Sequence, residues 1–121
     1  MSGTITETYT LAVSNGNYSE DYTKAFSLTQ SAEGGGNPGW VTIGTSEEDI
    51  SFGDVTPRFC LIENLDATNY VKFGPKSGGS MVLLGRISPG GWARVEIGAA
   101  VTLRMVADTA ACNCRIRGYN A

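Results

Sequence analysis

At 121 residues, 41% apolar and 17% charged, the chain has the size of one domain and a globular composition, which excludes a disordered or collagen-like polymer. Its net charge of −3 argues against a binder that gains affinity by neutralising nucleic-acid phosphates. It has no histidine, which removes Ser–His–Asp and Cys–His catalysis and any His-based zinc site.

Met1-Ser-Gly-Thr4 carries neither the basic nor the apolar region of a secretory signal, and no run approaches the roughly 18 apolar residues of a membrane span. The expectation is folding in the cytoplasm of whatever cell makes the chain, with no membrane and no nucleic acid as partner. Cys60, Cys112 and Cys114 are odd in number, as expected of thiols in a reducing compartment.

Thr4–Val13 alternates, with Ile5, Tyr9, Leu11 and Val13 on one face and four threonines with Ala12 on the other, which predicts a half-buried strand. Asn15-Gly16 signals a turn, Asn17–Asp21 reads as a polar connection, and Thr23–Gln30 as a second strand burying Phe26 and Leu28. Ser31–Gly39, with four Gly and one Pro in nine residues, reads as an exposed loop. Trp40–Ile43 follows as a short strand. Ser46–Asp49 fits one helical turn, while Glu48–Phe52 also fits a strand with Ile50 and Phe52 inward. Pro57 holds Thr56 extended.

Arg58–Asn64 contains Phe59-Cys-Leu-Ile62, apolar on both faces, and is the candidate centre of the sheet. Leu65–Asn69 reads as a compact turn, because Asn, Asp and Thr bond to their own nearby backbone. Tyr70–Gly74 points Val71 and Phe73 one way and Tyr70 and Lys72 the other, Gly74–Gly79 is a turn, and Ser80–Ile87 reads as one apolar strand. Ser88-Pro-Gly-Gly91 reverses the chain. Trp92–Ile97 sets Ala93, Val95 and Ile97 opposite Trp92, Arg94 and Glu96. Val101–Ala107 and Cys112–Gly118 complete the set, with Arg104, Arg115 and Arg117 outward. Turns recur about every eight to twelve residues and no helix is predicted, so the fold class is an all-β, single-domain antiparallel sandwich or jelly roll of about eight to nine strands over 1–121.

Charge is uneven along the chain. Residues 1–57 hold eight acids and one base, whereas residues 58–121 hold eight bases and four acids. Two readings follow: the halves lie together and largely cancel, or the surface is bipolar and one copy's acidic side meets another's basic side.

No catalytic constellation stands out. Cys112-x-Cys114 with Cys60 lacks a fourth ligand and reads as core thiols. The acids Glu47, Glu48, Asp49 and Asp54 lack the register of a calcium loop and read as a solvated face. No cofactor or metal is expected. Trp40, Trp92, Tyr18, Tyr22, Tyr70 and Tyr119 supply aromatic surface for stacking on sugars or anchoring an interface, or pack in the core and its rim, and Trp92, which shares a face with Arg94 outside the expected core, is the interface candidate among them.

Asn64–Val71, Phe73-Gly-Pro75, Ile87-Ser-Pro-Gly-Gly-Trp92 and Val106–Ala111 resemble small β-sandwich virion proteins encoded in the structural gene clusters of tailed bacteriophages. The resemblance covers roughly residues 58–118. It implies a non-enzymatic role in the particle, on the capsid, at the head–tail junction or on the tail, and offers no catalytic residues. The expectation is a capsid decoration protein in the virion, with the major capsid protein or other virion proteins as partners and copies associated as an oligomer or on a lattice. The first strand would pair with a neighbour's sheet, and the interface residues would be Trp92, Arg94, Arg104, Arg115, Arg117, Tyr70 and Trp40. A carbohydrate-binding sandwich that stacks a glycan on Trp92, Tyr70 or Trp40 is the alternative of a different class.

Overall fold

The computed structural model describes residues 3–30 and 34–120. The chain is all-β, and its described residues divide into two compact units, one holding 3–30 and the other 34–120. The sandwich expected over 1–121 therefore occupies the second unit, and the boundary between units falls well before the change in charge at residue 57.

The first unit is a two-stranded ribbon. Strands β1 (Gly3–Asn15) and β2 (Tyr18–Gln30) pair antiparallel along their whole length. They are joined by a two-residue turn at Gly16-Asn17, where Gly16 takes a φ of 56°. A two-residue hairpin turn needs positive φ at its first central residue, which glycine adopts without a Cβ penalty. The polar stretch Asn17–Asp21 is therefore mostly strand rather than connection. Ribbon pairing gives one edge of β1 a partner within its own chain. The register puts Ile5, Tyr9, Leu11 and Val13 on the same face as Leu28, Phe26, Tyr22 and Tyr18. Leu28 is buried, but Phe26, expected in the core, is exposed, as are Tyr9, Leu11, Tyr18 and Tyr22.

The second unit is a sandwich of nine strands. One sheet has the order β3 (Gly35–Ile43), β11 (Cys112–Tyr119), β5 (Phe59–Asn64), β9 (Trp92–Glu96). The other runs β4 (Glu48–Asp49), β10 (Leu103–Ala107), β6 (Val71–Ser77), β7 (Ser80–Met81), with β8 (Gly85–Ile87) also on β6. All pairings are antiparallel. Alternation decides which side chains enter the core. Cys112, Cys114 and Ile116 of β11 with Cys60 and Ile62 of β5 meet Leu103, Met105 and Ala107 of β10 with Val71 and Phe73 of β6. Each large apolar side chain so buried contributes about 1.5–3 kcal/mol.

Two predicted segments differ. Gly35–Gly39, expected as loop, lies in β3 and pairs with β11. Its glycines make this possible: the Tyr119 ring occupies the space where a Cβ on Gly35 would stand, and Gly36 and Gly39 take positive φ. Ser31–Glu33 lie outside the described residues. Ser80–Ile87 is not one strand. Between β7 and β8, Val82, Leu83 and Leu84 are exposed, because the chain steps over Gly74 so closely that the Val82 carbonyl takes the Cβ position there. Val82 and Leu84 still donate to the carbonyls of Pro75 (2.8 Å) and Phe73 (3.0 Å).

The turn after β5 is built as its side chains predict. The Asp66 carboxylate accepts from the amides of Thr68 (2.9 Å) and Asn69 (2.6 Å), and Asn64 Oδ1 accepts from the Asp66 amide (3.1 Å). Asn64 is buried, and its Nδ2 donates to the carbonyls of Asn69, Ile87 and Ser88 at 2.9, 3.1 and 3.3 Å. One amide side chain thus fastens the turn after β5 to the turn after β8.

Candidate interaction face

The pairing of β3, β11, β5 and β9 sets the residues facing away from the core in three rows across the sheet, the third lying beyond a register shift between Gly118 and Tyr119 on the β3 side. Trp40, Arg115, Glu63 and Trp92 make the first; Pro38, Arg117, Leu61 and Arg94 the second; Gly35, Tyr119, Phe59 and Glu96 the third. Five of the seven interface candidates, Trp40, Trp92, Arg94, Arg115 and Arg117, therefore share one face.

The two indoles sit at the ends of their row, on the outer strands, and are 71% and 55% exposed. The Arg115 guanidinium lies 5.3 Å from the Trp40 ring centroid, a cation–π arrangement, and among the described residues Arg115 makes no ion pair. A hollow of about 280 Å³ lined by Trp40, Val41, Thr42, Leu65, Asn113 and Cys114 adjoins that ring. Arg117 donates to Glu63 at 3.0 Å, while its Nε is buried without a hydrogen-bond acceptor. Arg94 lies 4.6 Å from the Phe59 ring centroid and pairs with Glu96 at 3.4 Å. Arg58 also donates to Glu96 (3.3 Å), and these two arginines hold the Glu96 carboxyl below its ordinary range.

This face also explains how β5 is apolar on both sides without a third layer. Cys60 and Ile62 face the core, while on the outer side Phe59 is stacked by Tyr119 (5.4 Å between centroids) and roofed by Arg94. Sequence reasoning named Tyr119 as aromatic surface but did not assign Phe59, Leu61 and Glu63 to the face. The signal was present in the alternation of β5 and β11, but which strands lie side by side is a long-range fact that alternation alone does not carry.

Arg104 and Tyr70 are elsewhere. Arg104 projects from β10 on the other sheet and donates to Asp49 Oδ1 (2.8 Å), Glu47 Oε1 (3.0 Å) and the Gly79 carbonyl (2.8 Å). Lys76 reaches Asp49 (3.2 Å), and the Met81 amide donates to Glu47 (2.7 Å). Arg104 is thus a clamp joining β4, β10 and the β6–β7 turn, which corrects its place in a common basic face. The Met81 amide and Arg104 lower the Glu47 pKa, and Arg104 with Lys76 lowers that of Asp49. The acidic run 47–49 is in this way matched inside its own unit, where residues 34–120 hold eight acids and eight bases. Tyr70 precedes β6, with the Arg86 guanidinium 4.9 Å from its ring centroid.

The three cysteines are buried in the core. Burial pushes the Cys60 and Cys114 thiols up to about 12, and raises Cys112, with Asp66 and Asp108 adding to the effect. No group of three or more acidic or cysteine side chains among the described residues is arranged to hold a metal ion.

Fold and site define an all-β sandwich with an aromatic and cationic sheet face. No protein-family model, curated protein or solved structure matches the chain.

Proposed function

We propose that the chain is a non-enzymatic virion structural protein of the tailed-bacteriophage kind, a decoration protein that binds the head lattice through the outer face of its four-stranded sheet. The observation that carries this reading is the row Trp40–Arg115–Glu63–Trp92, whose two indoles stay largely exposed. Trp, Tyr and Arg dominate the energetics of protein interfaces, because they bury much area and keep a polar handle. The resemblance over residues 58–118 supplies the particle as the setting. The test is cosedimentation with heads assembled from the major capsid protein of the genome that encodes the chain. Binding that survives Trp40→Ala with Trp92→Ala unchanged contradicts the reading. Binding to tails or head–tail junctions but not to heads would move the same face to that partner.

One observation favours a second reading, a glycan-binding module. The two indoles are separated by three strand spacings, roughly 14 Å, with Arg115 and Glu63 between them as hydrogen-bonding groups. An extended polysaccharide could stack at both ends of such a row. A glycan array that gives signal with the wild type and none with Trp92→Ala would favour it over lattice binding.

A further inference from the structure

The ribbon raises a question independent of the lattice reading. A two-stranded sheet is marginal in water unless something covers its apolar face, yet Leu11, Tyr18 and Tyr22 stand exposed on one side of β1 and β2. The opposite side carries mainly Thr and Ser, which need no cover.

We infer that this face is the seam of a two-fold dimer, and that its occupant is the same face of a second copy of this chain. The argument rests on charge. Within the ribbon face, Lys24 lies in the row of Tyr9, Leu11 pairs with Tyr22 in the next row, and Glu20 lies in the row after that, opposite Val13. Among the described residues, neither Lys24 nor Glu20 has an ion-pair partner. The two charges stand on the same strand, one row either side of the Leu11–Tyr22 row.

Laying a second ribbon face to face, with a two-fold axis across the strands at the Leu11–Tyr22 row, keeps β2 over β2 and exchanges the flanking rows. Lys24 of each copy then lies over Glu20 of the other, giving two symmetric ion pairs. Leu11 and Tyr22 meet their own counterparts on the axis. One row further out, Phe26 comes over Tyr18. An isologous contact of this kind must be self-complementary; this register pairs Lys24 with Glu20, brings the apolar residues together, and sets Glu7, which shares the Phe26 row, over the polar Asn15. Moving the axis to the neighbouring Tyr9–Lys24 row would bring Lys24 over Lys24, a like-charge contact that selects against it. Sheets packed face to face cross at about 30° and lie about 10 Å apart, which long side chains such as Lys and Glu bridge.

The test is a charge exchange in the full chain, read by sedimentation velocity over a concentration series. The wild type is expected to dimerise. Lys24→Glu and Glu20→Lys each place like charges together twice per dimer and should weaken association about tenfold or more. The combined Lys24→Glu/Glu20→Lys variant restores both pairs and should return the dissociation constant to within about threefold of wild type. Circular dichroism and the thermal midpoint of the sandwich establish that each variant is folded. A wild type that stays monomeric at every concentration, single reversals without effect, or a double reversal that fails to restore association would each overturn the inference. Lattice binding is read in a separate assay with variants of the other unit, so the two claims can fail independently.

Discussion

Arg115 lies over the indole of Trp40, 5.3 Å from the ring centroid, and directly across the strand pair from it. Trp40 is exposed on the edge strand β3 and Arg115 is half-buried on β11 beside it, and the guanidinium makes no ion pair among the described residues, so the pair adds little to folding; surface substitutions of this kind are usually within about 0.5 kcal/mol of neutral. Arg115→Ala is therefore expected to leave the urea midpoint nearly unchanged while weakening partner binding. Equilibrium unfolding and a binding titration on the same preparation check it, and a large loss of stability would make the pair structural instead.

Asn64 should behave in the opposite way. Its amide is buried and serves the carbonyls of Asn69, Ile87 and Ser88 together, so Asn64→Ala leaves buried acceptors unmet and should cost about 1–3 kcal/mol. Urea unfolding measures this. An Asn64→Ala variant as stable as wild type would show that water replaces the amide at no cost.

The Arg104 clamp predicts an acid dependence. Glu47 and Asp49 have folded pKa values below their ordinary 4.5 and 3.8. A depressed carboxylate contributes stability that is present above its unfolded value and is lost as pH falls through the folded one. The thermal midpoint should thus hold from neutral pH down to about 5 and then decline below the ordinary carboxylate range. Arg104→Met should be less stable at neutral pH and lose part of that acid slope; an unchanged slope would place its origin in other carboxylates.

The core thiols predict the alkaline side. Cys60 and Cys114 are raised to about 12 from an ordinary 9.0, so their contribution is full below the unfolded value and is lost as pH rises from about 9 towards 12. In the native protein at pH 8 a water-soluble disulfide reagent should find no reactive thiol, and three in denaturant. Fast reaction of a native thiol would contradict their burial.

Much of the sandwich was legible because its signals are local. The alternation of β10 and β11 placed Leu103, Met105, Cys112, Cys114 and Ile116 in the core, and Asn64-Leu-Asp-Ala-Thr-Asn69 announced its turn. What was not legible depended on distant partners. Phe26 has a core residue's character but stands exposed on a two-stranded ribbon, a placement its local pattern does not mark. Val82–Leu84 are apolar like core, yet a close crossing at Gly74 sets them outside. Gly35–Gly39 looks like loop by composition and becomes strand because Tyr119 and β11 offer it a ladder. Arg104 alternates like Arg115 and Arg117, but its strand lies in the other sheet, opposite the acids that sequence had assigned to solvent.

The most direct test of the account is quantitative cosedimentation with heads assembled from the major capsid protein of the encoding genome. It would compare wild type with Trp40→Ala/Trp92→Ala and with Arg86→Ala on the other sheet. The account predicts saturable binding by wild type and by Arg86→Ala, and a loss of about tenfold or more when the two indoles are removed, as expected of interface anchors. Equal binding by all three, with each variant folded, would contradict it.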